Sequence, residues 1–148
     1  MRVLLVDDNL RHRRAGTRQL ETLGHEVIAL CDYGEARKRA GAESFDVALI
    51  DLLMPAEPTT LGAEARKEFV GHEIAVGFPL ILKLTRLGIK KVAVATDTNH
   101  HDHPMSAIVD WFHSDALEVN GAKVLIMHAP MCEDGAKDWG KVLAHLIA

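Results

Sequence analysis

The sequence predicts an α/β domain: a parallel β-sheet with helices on both faces. Five short apolar runs alternate with longer amphipathic stretches, the order expected of strands joined by right-handed helical crossovers. The runs are continuously apolar rather than alternating, so both faces of the sheet are covered. The 148-residue length is enough for a real hydrophobic core. With no internal repeat, low-complexity tract or linker, residues 1–148 read as one domain.

The elements follow in order. Val3-Leu4-Leu5-Val6 is a buried strand ending in Asp7-Asp8. Leu10 to Leu23 is a helix, closed by Gly24 just past its end. Glu26 to Leu30 is the second strand and Tyr33 to Ala40 a short helix. Val47 to Ile50 is the third strand, ending at Asp51 and followed by Met54-Pro55. Thr59 to Gly71 fits this alternation least well and reads as an insertion after the third strand. Within it, Leu61 to Val70 is expected to form an extra helix with Thr60 as N-cap. Ile74 to Leu87 is predicted helical, with Pro79 kinking it or delaying its start. Val92 to Ala95 is the fourth strand, ending at Thr96-Asp97. Pro104 suits the first turn of a helix to about His113. Val124 to Met127 is the fifth strand, ending near His128-Ala129-Pro130. A last helix places Ala136, Trp139, Leu143, Leu146 and Ile147 on one face.

Composition excludes several functions. Seventeen Lys and Arg against 21 Asp and Glu give a net charge of −4, a poor balance for nucleic-acid binding. The two cysteines, Cys31 and Cys132, are too few for a disulfide framework. No stretch is long and apolar enough to span a membrane. Asp7 and Asp8 interrupt the apolar start, so it does not read as a signal peptide, and a cytoplasmic location is expected. Arg11, Arg14 and Arg18 share one face of the first helix and read as a solvated row. Nine histidines are more than this reading requires, and three of them fall within His100-His101-Asp102-His103.

In an open α/β sheet, function collects at the carboxyl ends of the strands, near the switch in strand order. If that order is 2-1-3-4-5, the first and third strands are neighbours and Asp7, Asp8 and Asp51 converge. Three such carboxylates repel one another, and a hard divalent cation such as Mg²⁺ resolves the conflict. An Asp beside that ion can attack phosphorus and form an aspartyl phosphate.

This arrangement resembles the receiver domain of two-component response regulators. The resemblance is carried by Val3-Leu4-Leu5-Val6-Asp7-Asp8-Asn9, by Phe45 to Pro55 around Asp51, and by Thr96 after the fourth strand. It implies a flavodoxin-like (βα)5 fold with strand order 2-1-3-4-5. It also implies Asp51 as phosphoacceptor, Mg²⁺ held by Asp7, Asp8 and Asp51, and Thr96 contacting the phosphoryl group. The implied partners are a histidine kinase or phosphotransfer protein and a downstream protein docking on residues 104–148, with a homodimer left open. No output domain fits in the remaining length, so output is expected through protein contacts, in phosphorelay signalling.

The sequence departs from that pattern in four places. The family's Lys at the end of the fifth strand is missing. Ala129 precedes Pro130, and Lys123 lies about 20 Å too early at the rise of a strand. His128 is the nearest candidate replacement. Asp97 stands where a small residue is usual, and Ile126 stands where the switch aromatic is usual. Asp51 and Thr96 lie 45 positions apart, longer than receivers need. Two alternatives follow: a phosphorylation-independent interaction module, or a divalent-metal sensor or phosphohydrolase using Asp97 and His100 to His103.

Overall fold

A computed structural model of the chain describes residues 1–113 and 115–148. The strands are β1 (Arg2–Val6), β2 (Glu26–Leu30), β3 (Val47–Asp51), β4 (Met54–Pro55), β5 (Glu73–Ile74), β6 (Lys91–Thr96), β7 (Leu117–Val119) and β8 (Ala122–His128). The helices are α1 (Leu10–Thr22), α2 (Tyr33–Ala42), α3 (Arg66–Phe69), α4 (Gly77–Arg86) and α5 (Trp139–Ile147). Two 3₁₀ segments, Pro58–Thr60 and Pro104–Phe112, complete the set.

The main sheet has six strands in the order β2-β1-β3-β6-β8-β7. The first five of these run parallel to their neighbours, and β7 pairs antiparallel with β8. The α/β class holds, and the sheet carries an edge strand that the sequence reading did not include. A two-residue turn, Asn120-Gly121, makes that hairpin. Both residues have positive φ, 52° and 70°, as a type I′ turn requires.

Successive strand residues alternate between two cores. Val3, Leu5, Val47, Leu49, Ala93, Ala95, Leu125 and Met127 face α1 and α5. Leu4, Val6, Ala48, Ile50, Val92, Val94, Val124 and Ile126 face α2, α4 and the second 3₁₀ segment. Two glycines permit close approach. A Cβ on Gly16 would lie 2.5 Å from Trp139, so only glycine lets α1 pack on α5 there. A Cβ on Gly77 would lie 2.9 Å from the Asp51 carbonyl, so α4 starts directly against the end of β3.

Several boundaries differ from the sequence expectation. Leu61 to Val70 is not one helix. The Thr60 hydroxyl instead closes the 3₁₀ turn, accepting from the Glu57 amide at 3.3 Å and donating to its carbonyl at 2.8 Å. Ile74 belongs to β5, whose two-residue ladder with β4 closes the loop from Ala56 to His72. Pro79 falls in the first turn of α4, where its missing N–H would have had no helical partner, so it causes no kink. Pro104 to Phe112 winds as a 3₁₀ helix, entered from His103, whose Nδ1 accepts from the Met105 amide at 3.2 Å. On α5, Val142 is buried and Ile147 is exposed, shifting the expected apolar face.

Candidate functional site: an acidic pocket with a buried lysine

The site lies at the carboxyl ends of β1, β3 and β6. Val6 pairs with Ile50, and Asp51 pairs with Ala95, so Asp7, Asp51 and Thr96 sit at one end of adjacent strands. Asp7 and Asp51 are buried, and Asp8 is half-buried. One carboxylate oxygen from each of Asp7, Asp8 and Asp51 lies within 4.8 Å of the others. This is the one such potential metal-holding group among the described residues. The turn that presents them is pinned locally. Asp7 Oδ1 accepts from the Asn9 amide at 2.9 Å, and Asn9 Oδ1 accepts from the Arg11 amide at 2.9 Å as N-cap of α1. The Arg13 guanidinium donates to the Asp7 carbonyl at 2.7 Å and the Asp8 carbonyl at 3.2 Å.

The missing cation is present, from an unexpected place. Lys137, 0% exposed, lies in the connection between β8 and α5. Its Nζ is 2.7 Å from Asp51 Oδ1, 3.2 Å from Asp7 Oδ2 and 3.3 Å from Asp97 Oδ1. A hairpin delivers it: residues 131 and 137 pair across a turn in which Gly135 has φ 80°. His128, the expected replacement, points elsewhere. It is exposed and meets Asp110 at 2.9 Å.

The pocket itself is a cavity of about 160 Å³, walled by Asp8, His12, Asp51, Glu73 and Asp97 among others. His12 and Glu73 are additions to the sequence-derived set. The Thr96 hydroxyl is buried at the end of β6 and accepts from the Thr98 amide at 3.1 Å. The structure brings Asp97 into the site but not the His100 to His103 cluster. His100 and His101 are exposed with their rings 4.0 Å apart, and His103 Nε2 donates to the Glu73 carbonyl at 3.1 Å. Cys31 and Cys132 are free thiols. Trp139 is core, whereas Trp111 is 84% exposed.

Charge balance follows from burial. Desolvation holds the Asp51 carboxyl well above the ordinary carboxylate range, with Asp7 and Asp8 adding to it and Lys137 opposing. Asp7 is raised for the same first reason, again against Lys137. Burial also works against ionised Asp97, but Lys137, its own backbone and His12 outweigh it, and its pKa is lowered. For Lys137 burial disfavours the charge, yet Asp51, Asp7 and Asp97 together keep it firmly protonated. Asp51 Oδ1 is in charge contact with Nζ but accepts no well-aligned hydrogen bond. A buried oxygen with open capacity, next to two further carboxylates, fits a hard oxygen-seeking cation such as Mg²⁺.

No protein-family model and no curated protein matches the chain. Solved structures do. One is a CheY-like response regulator receiver domain protein from Methanospirillum hungatei JF-1, 21% identical at TM-score 0.55, with 88% of this chain and 82% of that one covered. A second is a response regulator from Burkholderia pseudomallei with a phosphorylated aspartic acid, calcium ion and citrate. It is 23% identical at TM-score 0.59, with 98% and 65% covered. A third is the response regulator TrrA from Thermotoga maritima in complex with Mg²⁺ and BeF, 19% identical at TM-score 0.53, with 85% and 84% covered. The chain shares the fold of response-regulator receiver domains. Among the described residues no helix is long and apolar enough to cross a membrane.

Proposed function

We propose that this chain is a receiver-like signalling domain that accepts a phosphoryl group on Asp51 in a Mg²⁺-dependent reaction. The observation that carries the reading is the convergence of Asp7, Asp8 and Asp51 at the switch in strand order, with the Lys137 ammonium against Asp7 and Asp51. Asp7, Asp8 and Asp51 hold Mg²⁺, which when bound supplies positive charge to the phosphoryl oxygens. A carboxylate oxygen of Asp51 attacks phosphorus, and the bond from phosphorus to the donor's leaving group breaks, with its electron pair going to that group. In this reading Lys137, whose Nζ is 2.7 Å from Asp51 Oδ1, balances charge on the transferred group, and the Thr96 hydroxyl donates to that group. The fold shared with proteins solved with a phosphorylated aspartate or with Mg²⁺ and BeF supports this reading.

The donor is a histidine kinase or phosphotransfer protein of the cytoplasm. The downstream protein docks on residues 104–148, where Trp111 and Ile108 are exposed. The test is incubation with Mg²⁺ and acetyl phosphate, followed by intact mass. Wild type gains a phosphoryl adduct and Asp51→Asn gains none.

One observation favours a second reading, a phosphorylation-independent interaction module. Lys137 already brings one positive charge to Asp7 and Asp51 without an added ion. That reading expects no adduct in wild type and unchanged partner binding in Asp51→Asn.

A further inference from the structure

His12, 4% exposed in the first turn of α1, is a buried polar ring that phosphoryl transfer as described leaves without a task. Both of its nitrogens are engaged. The backbone N–H of Lys137 donates to Nδ1 at 3.2 Å, and Nε2 meets Asp97 Oδ2 at 3.0 Å. A ring nitrogen that accepts from an amide carries no proton of its own. The bonding pattern therefore assigns the proton to Nε2, donated to Asp97. The ring grips the main chain of the residue that carries the ammonium, and it also grips a carboxylate 3.3 Å from that ammonium. Gln19, about two turns further along α1, holds the other side of the same segment. Its Nε2 donates to the Lys137 carbonyl at 3.2 Å, and its Oε1 accepts from the Trp139 amide at 2.8 Å. Lys137 thus hangs from α1, the helix whose N-cap turn also presents Asp7 and Asp8.

We propose that His12 is a positioning residue for phosphoryl transfer to Asp51. It latches the 131–137 hairpin so that Lys137 Nζ is held at the phosphoacceptor, and it steadies Asp97 as a second guide for the ammonium. The proposal rests on the phosphoacceptor reading above. Because the lysine comes from a connection and not from a strand end, its position needs side-chain anchors that a strand-end lysine would not.

The test uses the full chain as wild type, His12→Ala, His12→Asn and His12→Gln. Asparagine keeps an acceptor near the Nδ1 position, and glutamine keeps a donor near Nε2. Three quantities are read: the rate of Asp51 adduct formation from acetyl phosphate over a range of donor concentrations with Mg²⁺, the melting temperature, and the ¹⁵N shifts of the His12 ring. The expected wild-type ring is protonated at Nε2 and bare at Nδ1. The maximal rate of His12→Ala falls by roughly 10- to 100-fold, the scale of a misplacement near 1 Å, with little change in the half-saturating donor concentration. His12→Asn recovers most of the rate, and His12→Gln recovers less. A folded His12→Ala that reacts at the wild-type rate overturns the proposal, as do rates that merely follow melting temperature across the variants. If His12→Ala does not fold, equal rates for the Asn and Gln forms overturn it. A ring protonated at Nδ1 breaks the latch alone. Absence of an adduct in wild type defeats the phosphoacceptor reading itself, so the two failures are distinguishable.

Discussion

Asp7 and Asp51 reach the acidic pocket on the backbones of adjacent strands, whereas Lys137 reaches it on a connection. The carboxylates are set by the β1–β3 ladder: Val6 pairs with Ile50, and the next residue on each strand is the acid. Nothing beyond sheet register is needed to bring them together. Lys137 is set by groups far away in sequence, His12 and Gln19 on α1, and by a hairpin closed at residues 131 and 137. A group on a ladder is placed by local hydrogen bonds. A group on a connection is placed by tertiary contacts, and its position is correspondingly easier to disturb.

The sharpest break in that comparison is Lys137→Ala. It leaves two buried carboxylates without their cation, and loss of about 3–5 kcal/mol of stability is expected. Denaturant melts with and without Mg²⁺ measure this. The ion is expected to restore part of the loss, because it takes over the same charges. A variant that melts like wild type without Mg²⁺ would show that the lysine does not hold the pocket together. Next comes Gly16→Ala, which pushes α1 off Trp139 and so off the hairpin's anchor; about 1–3 kcal/mol is expected from overpacking. The same melts read it.

A smaller effect concerns pH. Asp97 has a lowered pKa, the balance of burial, which opposes ionisation, against Lys137, its own backbone and His12, which favour it. A lowered folded value means that its stabilisation is present above the ordinary carboxylate value of 3.8 and is lost as pH falls through the folded value. Asp97→Asn is therefore expected to lower stability by about 1 kcal/mol or less near neutral pH, because the carboxylate is partly exposed. The gap from wild type is expected to close below pH about 4. A gap that widens on acidification would reverse the assignment. The smallest effect belongs to His128→Ala. Its exposed pair with Asp110 contributes a few tenths of a kcal/mol, and adduct formation is expected to be unchanged. A large loss of phosphorylation there would return His128 to the site.

Much of the fold was legible because strand cores announce themselves as apolar runs. β2 spans the predicted Glu26 to Leu30, and the predicted third strand is extended only by Asp51. Two turns carry a readable signal in their residue pairs. Asn120-Gly121 marks the β7–β8 hairpin, and Asp134-Gly135 lies in the turn before Lys137. Both are pairs favoured where the backbone takes positive φ. The expected Leu61 to Val70 helix shrinks to α3, Arg66–Phe69, and Thr60 bonds back to Glu57 instead of capping forward.

By itself the sequence determined the α/β class, the two-sided burial of the sheet and the acidic residues at its strand ends. Apolar continuity is a local property, and an acid following a strand stays at that strand's end in any packing. Only the tertiary structure decided which cation meets those acids. Lys137 lies 130 positions from Asp7 and 86 from Asp51. No local spacing encodes their contact, which arises only when α1 docks on the connection before α5. The same packing selected His12 from nine histidines. Burial and partners make that ring part of the site, and neither is a property of the residue or of its neighbours in the chain.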